Sequence, residues 1–190
     1  VLGGCGLTEV TAGSDAAGTK TTAVKKDGRY VINGSKIFIT HGGVGEVFVV
    51  TAVTDPTIGT KGISSFILTK AADLSHRPDG VKIGHDDSLP NMTGFRAGKK
   101  ENKLGWRASD TRELIFEDVE VPEENRLGEE GMGFINFMQT LDSGRIGIAA
   151  LSIGIAEGAF EQALRYAAER KQFGRAIANF QGIQFQLSDM

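Results

Sequence analysis

The hydrophobic pattern of the chain changes its period near Leu127, and this change constrains the fold more than any other feature. Before Leu127, short runs of β-branched and aromatic residues are separated by glycine and aspartate turns, a pattern typical of β-strands. From Leu141 onward, apolar residues recur at helical spacing, which predicts one long helix to about Lys171 and a second from about Asn179. We therefore expect an antiparallel β-barrel or sandwich, followed by helices that bury little surface without partner helices.

The strand-forming part contains one strong hairpin signal. The segment Tyr30–Thr40 has two runs of β-branched or aromatic residues around Asn33-Gly34, and Asn-Gly is a dipeptide that strongly favours a tight hairpin turn. The polar stretch Ala71–Asn102 contains two prolines and predicts a long surface connection. Three further strands are predicted, at Val47–Val53, Ile63–Leu68 and Arg112–Pro122. The last of them ends at a proline.

Composition argues against several classes of protein. The chain has 21 basic and 24 acidic residues, a net charge of −3 and no basic block, so we expect no nucleic-acid surface. A single cysteine leaves no internal disulfide, and the three histidines lack metal-binding spacing, so we expect no metal site. No apolar run approaches the roughly 20 residues of a membrane span. Because the chain begins without methionine and stops within a helical pattern, we expect a piece of a longer protein.

The segment Gly6–Asp15 is rich in hydroxyl groups, glycine amides and acidic side chains. Such a segment can present main-chain N–H groups to a flat heterocycle or a phosphate, although its composition alone favours an ordinary turn. It is not a dinucleotide-binding fingerprint, because Glu9 stands where the third glycine is required. The chain also lacks a Gly-x-Ser-x-Gly motif, which disfavours a hydrolase.

Several segments together resemble the acyl-CoA dehydrogenase family, and they occur in that family's order. Leu7–Asp15 resembles the family's Thr-Glu-Pro-x-Ala-Gly-Ser-Asp loop, and Asn33–Thr40 resembles its Asn-Gly-x-Lys-x-Trp-Ile-Thr strand. The segments that resemble its closing β-strands and the start of its C-terminal helical domain are Lys103–Thr111, Phe116–Pro122, Leu141–Arg145, Arg170–Gly174 and Gln181. The likeness covers nearly the whole chain.

The resemblance implies an α+β chain, with an antiparallel β-barrel-like middle domain over residues 1–128 and the truncated start of a helical bundle over residues 129–190. It also implies an FAD-dependent enzyme that desaturates an acyl-CoA thioester in fatty acid β-oxidation and passes electrons to an electron-transfer flavoprotein. Such enzymes are homo-oligomers, dimers or tetramers, of the cytoplasm or the mitochondrial matrix. An acyl-CoA oxidase and a non-catalytic CoA- or flavin-binding member of the family are the alternatives. The 190-residue chain by itself is expected to be inactive.

The resemblance assigns roles to particular residues. Asp142 and Arg145 would contact the CoA moiety, and Ser14 would contact both the substrate and FAD. The residues implied in FAD binding within one subunit are Leu7, Thr8, Gly13, Ser14, Phe38, Ile39 and Thr40. Those implied in reaching the FAD of a neighbouring subunit are Arg170, Phe173 and Gln181.

The chain departs from the family pattern at four places. Val10 replaces a proline, Phe38 replaces a tryptophan, and the connection Thr69–Phe95 is longer than is typical. Gly144 stands where some branches of the family hold the catalytic glutamate, and most others hold it further downstream. The catalytic base is therefore expected outside this chain.

Overall fold

The computed structural model describes residues 2–69 and 92–190, and the chain divides into two compact units, Val1–Met138 and Gln139–Met190. In the first unit, seven strands form one mixed sheet that curls into a half-barrel, which confirms the expected fold class. The strands are β1 (Gly3–Gly6), β2 (Thr22–Lys26), β3 (Arg29–Thr40), β4 (Val47–Val53), β5 (Ile63–Thr69), β6 (Phe95–Lys100) and β7 (Thr111–Pro122).

The strand order is β1-β4-β2-β3-β7-β6, and β5 also pairs with β4. Strands β1 and β4 run parallel, and β2 meets β4 in parallel through the single pair Thr22–Val53. All other pairs in this sheet are antiparallel. Parallel neighbours require a long connection, which the β2–β3 hairpin supplies between β1 and β4. The sequence analysis expects antiparallel pairs throughout. It does not foresee the two parallel pairs, because alternation of apolar residues does not reveal strand direction.

The prediction of a hairpin turn at Asn33-Gly34 is wrong. Strand β3 runs without interruption from Arg29 to Thr40, and the turn lies earlier, between β2 and β3. At that turn, Asp27 and Gly28 have positive φ angles of 49° and 76°, as a tight hairpin of this kind requires. Asp-Gly is as strong a turn signal as Asn-Gly, so the dipeptide alone could not decide. At Asn33, the side chain exchanges two hydrogen bonds of 2.9 Å with Asp118 of β7.

The core of the first unit consists of side chains that project from one face of the sheet. Tyr30 and Phe66 contact each other there with ring centroids 4.8 Å apart. Burial of such side chains is worth about 1.5–3 kcal/mol each, so β3, β4 and β7 form a rigid support. The members of this cluster with 0% exposure are Tyr30, Ile32, Phe48, Val50, Ala52, Phe66, Leu114, Val119 and Val121.

The expectation of a surface connection over Ala71–Asn102 is wrong at its end, because Phe95–Lys100 forms β6 at the edge of the sheet. Only Phe95 of this strand is buried, at 5% exposure, and the other residues are polar, small or exposed. An edge strand of this composition carries no alternating apolar pattern that a sequence could reveal. The part of that expectation at residues 71–91 lies outside the described residues.

Both predicted helices are confirmed. Helix α1 spans Gly133–Glu169, and α2 spans Gln181–Asp189, with the short strands β8 (Lys171–Gln172) and β9 (Arg175–Ala176) between them. Helix α1 begins before the predicted Leu141, because Gly133 allows the backbone to lie closely against β5. A Cβ atom at Gly133 would stand 2.3 Å from the Ser64 carbonyl carbon. No helix in residues 2–69 and 92–190 has both the length and the apolar character needed to cross a membrane.

Candidate functional site

The loop between β1 and β2 lies against the second half of β3. The Ile37 backbone N–H donates a hydrogen bond of 2.8 Å to the Thr8 carbonyl oxygen. This contact brings Leu7 and Thr8 beside the end of β3, which carries Phe38, Ile39 and Thr40. Two groups of predicted site residues that are thirty positions apart in sequence therefore meet in the first unit.

A β-bulge orients the end of β3. Lys36 pairs with Leu114 and Ile39 pairs with Arg112, so β3 carries one residue more than β7 between these pairs. The extra residue gives Phe38 a positive φ of 59° and turns its side chain outward, at 61% exposure. Ile39 is turned inward and is 3% exposed, so only its backbone can contact a ligand. Phe38 therefore presents an aromatic ring beside the loop, in the place where the family has tryptophan.

The loop continues through a closed turn and an open segment. Glu9 and Ala12 exchange two backbone hydrogen bonds of 2.9 and 3.1 Å, and Val10 lies at the tip of the turn, 77% exposed. The turn is thus closed without the family's proline. Gly13 and Ser14 follow and are exposed, and a Cβ atom at Gly13 would meet no atom within 4 Å. This part of the loop has room for a bound molecule.

A buried ion pair lies directly beneath the loop. Lys36 is 0% exposed and Glu9 is 6% exposed, and Lys36 Nζ donates to Glu9 Oε1 over 2.7 Å. The same ammonium lies within hydrogen-bond distance of the Leu7 carbonyl oxygen, at 3.2 Å, and of the hydroxyl groups of Thr19 and Thr51, at 2.9 and 3.0 Å, so its three N–H groups are shared among four oxygen atoms. The Glu9 carboxylate accepts three further hydrogen bonds, from the Thr19 hydroxyl and from the backbone N–H groups of Lys20 and Thr21.

These contacts set the charge of the pair. Burial by itself raises the pKa of the Glu9 carboxyl, but the hydrogen bonds from Lys36, Thr19 and Lys20 and the ammonium charge outweigh it and lower the pKa to about 2. Burial lowers the pKa of the Lys36 ammonium, and the contact with Glu9 opposes that shift. Glu9 is therefore a carboxylate across the physiological pH range. Both residues occur in the motifs that carry the family resemblance, yet sequence reasoning gave neither a role.

A second polar cluster holds the turn that follows Thr40. The His41 backbone N–H donates to the Asp110 carbonyl oxygen at 2.7 Å, and the Gly43 N–H donates to Asp110 Oδ2 at 2.6 Å. Arg112 Nε donates to the other carboxylate oxygen at 2.9 Å. Burial by itself raises the pKa of Asp110, but these hydrogen bonds lower it. Asp110 and Arg112, which the sequence analysis also left without a role, thus fix the C-terminal end of β3.

The predicted CoA contacts lie on α1 in the second unit. Arg145 and Asp142 are one helical turn apart and form an exposed ion pair of 2.5 Å. A pair this exposed contributes less than about 1 kcal/mol to stability. Both side chains are therefore available to a ligand at little cost.

The remaining predicted residues lie in and after the β8–β9 hairpin. Phe173 has a positive φ of 51° at the tip of the hairpin and is 93% exposed, with its ring 6.1 Å from that of Phe180. The Arg175 guanidinium lies 4.3 Å from the centre of the Phe180 ring. Arg170 and Gln181 are exposed at the end of α1 and the start of α2. The second unit thus presents cationic, aromatic and amide side chains in one short segment.

Comparison with known proteins identifies the family of the chain. The sequence profile of the acyl-CoA dehydrogenase middle domain matches residues 4–119, and that of the acyl-CoA dehydrogenase C-terminal domain matches residues 131–190. The chain belongs to the acyl-CoA dehydrogenase family. It resembles a short-chain-specific acyl-CoA dehydrogenase of Clostridium acetobutylicum, with 53% identity over 189 residues, 100% of this chain and 45% of that protein.

Solved structures show the same relationship for this acyl-CoA dehydrogenase chain. Butyryl-CoA dehydrogenase from Megasphaera elsdenii matches with a TM-score of 0.85 and 48% identity, over 99% of this chain and 44% of that one. A chain in the structure of the electron transferring flavoprotein of Acidaminococcus fermentans matches with a TM-score of 0.86 and 51% identity, over 98% of this chain and 44% of that one. The chain therefore spans less than half the length of the proteins that it matches.

The acyl-CoA dehydrogenase family is FAD-dependent, and the loop beside β3 fits a flavin. The backbone N–H groups of Thr8, Gly13 and Ser14 and the half-buried Thr8 hydroxyl have no hydrogen-bond partner among the described residues. A flavin ring offers carbonyl and nitrogen acceptors along its pyrimidine edge, and an exposed aromatic side chain such as Phe38 can pack against it. Donors without partners next to an outward aromatic ring suit such a cofactor. Within residues 2–69 and 92–190, no His, Cys, Asp or Glu cluster is arranged to hold a metal ion.

Proposed function

We propose that this chain is part of a longer acyl-CoA dehydrogenase, in which residues 1–128 belong to the middle β domain and residues 129–190 begin the C-terminal helical domain. The observation that carries the proposal is the match of both domain profiles in order, with 53% identity to a short-chain-specific relative along the whole chain. Because the chain covers 45% of that relative, the remainder of the complete protein would supply the catalytic glutamate.

The proposed reaction is the oxidation of a short-chain acyl-CoA thioester to the α,β-unsaturated thioester, in β-oxidation. The names of the relatives support a short acyl chain, and one matching structure is of an electron transferring flavoprotein, which supports that partner as the electron acceptor. Bound FAD would supply the acceptor for the hydride that leaves the β carbon. The bacterial sources of the relatives favour a cytoplasmic enzyme.

The first unit would hold the flavin ring and part of the substrate. The Thr8 N–H and hydroxyl group would donate hydrogen bonds to the pyrimidine edge, where fixed donors stabilise negative charge. Phe38 would pack against the ring, Thr40 would reach toward its reactive nitrogen, and Ser14 would contact both FAD and the substrate. Leu7 and Ile39 would contribute through their backbone and by fixing the positions of their neighbours.

The second unit would serve the CoA moiety and a neighbouring subunit. Asp142 and Arg145 would contact CoA, because an exposed carboxylate and guanidinium can bind its amides and phosphates. Arg170, Phe173 and Gln181 would reach the FAD of a neighbouring subunit, where the planar guanidinium suits a pyrophosphate. The complete protein would therefore be a homo-oligomer, a dimer or a tetramer.

The decisive experiment uses the complete protein with its flavin. Anaerobic addition of butyryl-CoA should bleach the flavin absorbance, and the electrons should then reduce added electron-transfer flavoprotein. Rapid release of hydrogen peroxide in air would instead indicate an oxidase. A protein that retains FAD but is not bleached by any straight-chain acyl-CoA would be a non-catalytic member, and the proposal would be wrong.

Two paired variants on α1 test the CoA contact separately. Asp142→Asn combined with Arg145→Gln should raise the KM for butyryl-CoA about tenfold or more with little change in kcat, because the contact is remote from the reacting carbons. Glu161→Gln combined with Arg165→Gln removes another exposed ion pair, of 3.5 Å, from the same helix and should leave KM unchanged. Equal effects of the two double variants would contradict the assignment.

A further inference from the structure

The Glu9–Lys36 pair makes hydrogen bonds beyond the ion pair itself, and several of them hold one part of the loop. Lys36 Nζ contacts the Leu7 carbonyl oxygen and donates to the Glu9 carboxylate. The neighbouring Ile37 N–H donates to the Thr8 carbonyl oxygen. Three consecutive loop residues are thus tied to two consecutive residues of β3. The backbone on both sides of Thr8 is thereby held against β3.

These ties determine where the Thr8 N–H points. The Leu7 carbonyl and the Thr8 N–H belong to one peptide plane, and in a trans peptide they point in opposite directions. Because the carbonyl is directed inward to Lys36 Nζ at 3.2 Å, the N–H must be directed away from the buried ammonium. This is the N–H that has no partner among the described residues. Thr8 is only half-buried, so this N–H is available to an acceptor on a bound ligand.

Stability alone does not explain the pair. Burying two charges costs several kcal/mol, and well-packed apolar residues of similar volume are often as stable or more stable at such positions. What the ion pair provides, and an apolar pair would not, is a hydrogen-bond donor that fixes the direction of a peptide plane.

We propose that Glu9 and Lys36 are positioning residues that hold the Leu7–Thr8 peptide with its N–H toward the flavin ring, and so set the reduction potential of the bound flavin. The inference rests on the proposed function, since it assumes that this loop meets FAD. Glu9 keeps Lys36 charged and in place, Lys36 orients the peptide, and the peptide N–H donates to the edge of the ring on which negative charge develops. Neither side chain touches the cofactor.

The test is made on the complete protein with the double variant Glu9→Gln/Lys36→Met, which removes both charges and nearly preserves volume. The matched control is Lys25→Met/Glu123→Gln, which makes the same substitutions in an exposed pair between β2 and the residues after β7. Circular dichroism and the oligomeric state establish that each variant is folded. The readouts are the FAD dissociation constant and the midpoint potential of the bound flavin.

We expect the affinity for reduced flavin, divided by the affinity for oxidised flavin, to be at least tenfold lower in the Glu9/Lys36 variant than in the wild type. For a two-electron couple, this lowers the midpoint potential by about 30 mV or more. The control should keep the wild-type potential. If the double variant fails to fold, Glu9→Gln alone, which keeps the shape of the side chain, should lower the potential in the same direction.

Weaker FAD binding at an unchanged potential would mean that the pair only supports the fold, and would overturn the inference. An unchanged dissociation constant together with an unchanged potential would overturn it as well. In both cases the proposed function stands, because the wild-type protein still binds and reduces its flavin. A wild-type complete protein that binds no FAD would overturn both.

Discussion

The acid sensitivity of the loop follows from the buried Glu9 carboxylate. The pKa of Glu9 falls from an ordinary 4.5 to about 2 in the folded chain, and at about 1.4 kcal/mol per tenfold change in proton affinity this is about 3 kcal/mol of stability at neutral pH. Because the folded-state pKa is lowered, the contribution is complete above the unfolded-state pKa and is lost as the pH falls from about 4.5 toward 2. At pH 3, about 2 kcal/mol should be gone, which favours opening of the loop about 30-fold.

Hydrogen exchange at the Ile37 amide measures this opening, because its N–H is bonded to the Thr8 carbonyl oxygen. After correction for the intrinsic pH dependence of exchange, its protection should fall about 30-fold from pH 7 to pH 3 in the wild type. In the variant Glu9→Gln/Lys36→Met, the change should be less than about threefold, since the buried Glu9 carboxylate is then absent. Asp110 and the other carboxylates are common to both proteins and cancel in the comparison. An equal loss of protection in both would refute the assignment of the effect to Glu9.

Three further outcomes are expected. Thr8→Val in the complete protein should slow reduction of the flavin by butyryl-CoA, up to about 10²-fold in stopped-flow absorbance, because one fixed donor is lost; an unchanged rate with FAD bound would place Thr8 away from the ring. Arg170→Ala should weaken FAD binding more than it lowers turnover per bound flavin, measured by titration of the apoprotein. Gly94→Ala should lower the melting temperature, because Gly94 has a φ of +79° and a new Cβ would stand 1.9 Å from the Glu117 carbonyl oxygen, whereas Gly105→Ala, which meets no atom within 4 Å, should not.

Much of the fold is predictable because long segments keep one hydrophobic period. The strands Val47–Val53 and Ile63–Thr69 and both helices were expected to within a few residues, apart from the start of α1. That start depends on Gly133, which packs against the backbone of β5. Glycine has no side chain, so it contributes no signal to a hydrophobic pattern. The edge strand Phe95–Lys100 was not predicted for a related reason, because it buries a single side chain and so carries little hydrophobic pattern.

The site is harder to predict because it is built from departures from regular strand geometry. In a regular β3, alternation from Tyr30 and Ile32 would turn Phe38 inward. The bulge after Lys36 reverses that alternation, so that Lys36 and Ile39 both face the core and Phe38 faces outward. A matching irregularity in β7 gives Asp118 a positive φ of 54° and receives the Asn33 side chain that the sequence assigned to a turn. Neither bulge follows from composition or spacing, because each depends on pairing with a strand about eighty residues away. The resemblance to a family could name Thr8 and Phe38, but only the structure shows that the buried Lys36, from the strand that carries Phe38, contacts the loop that carries Thr8.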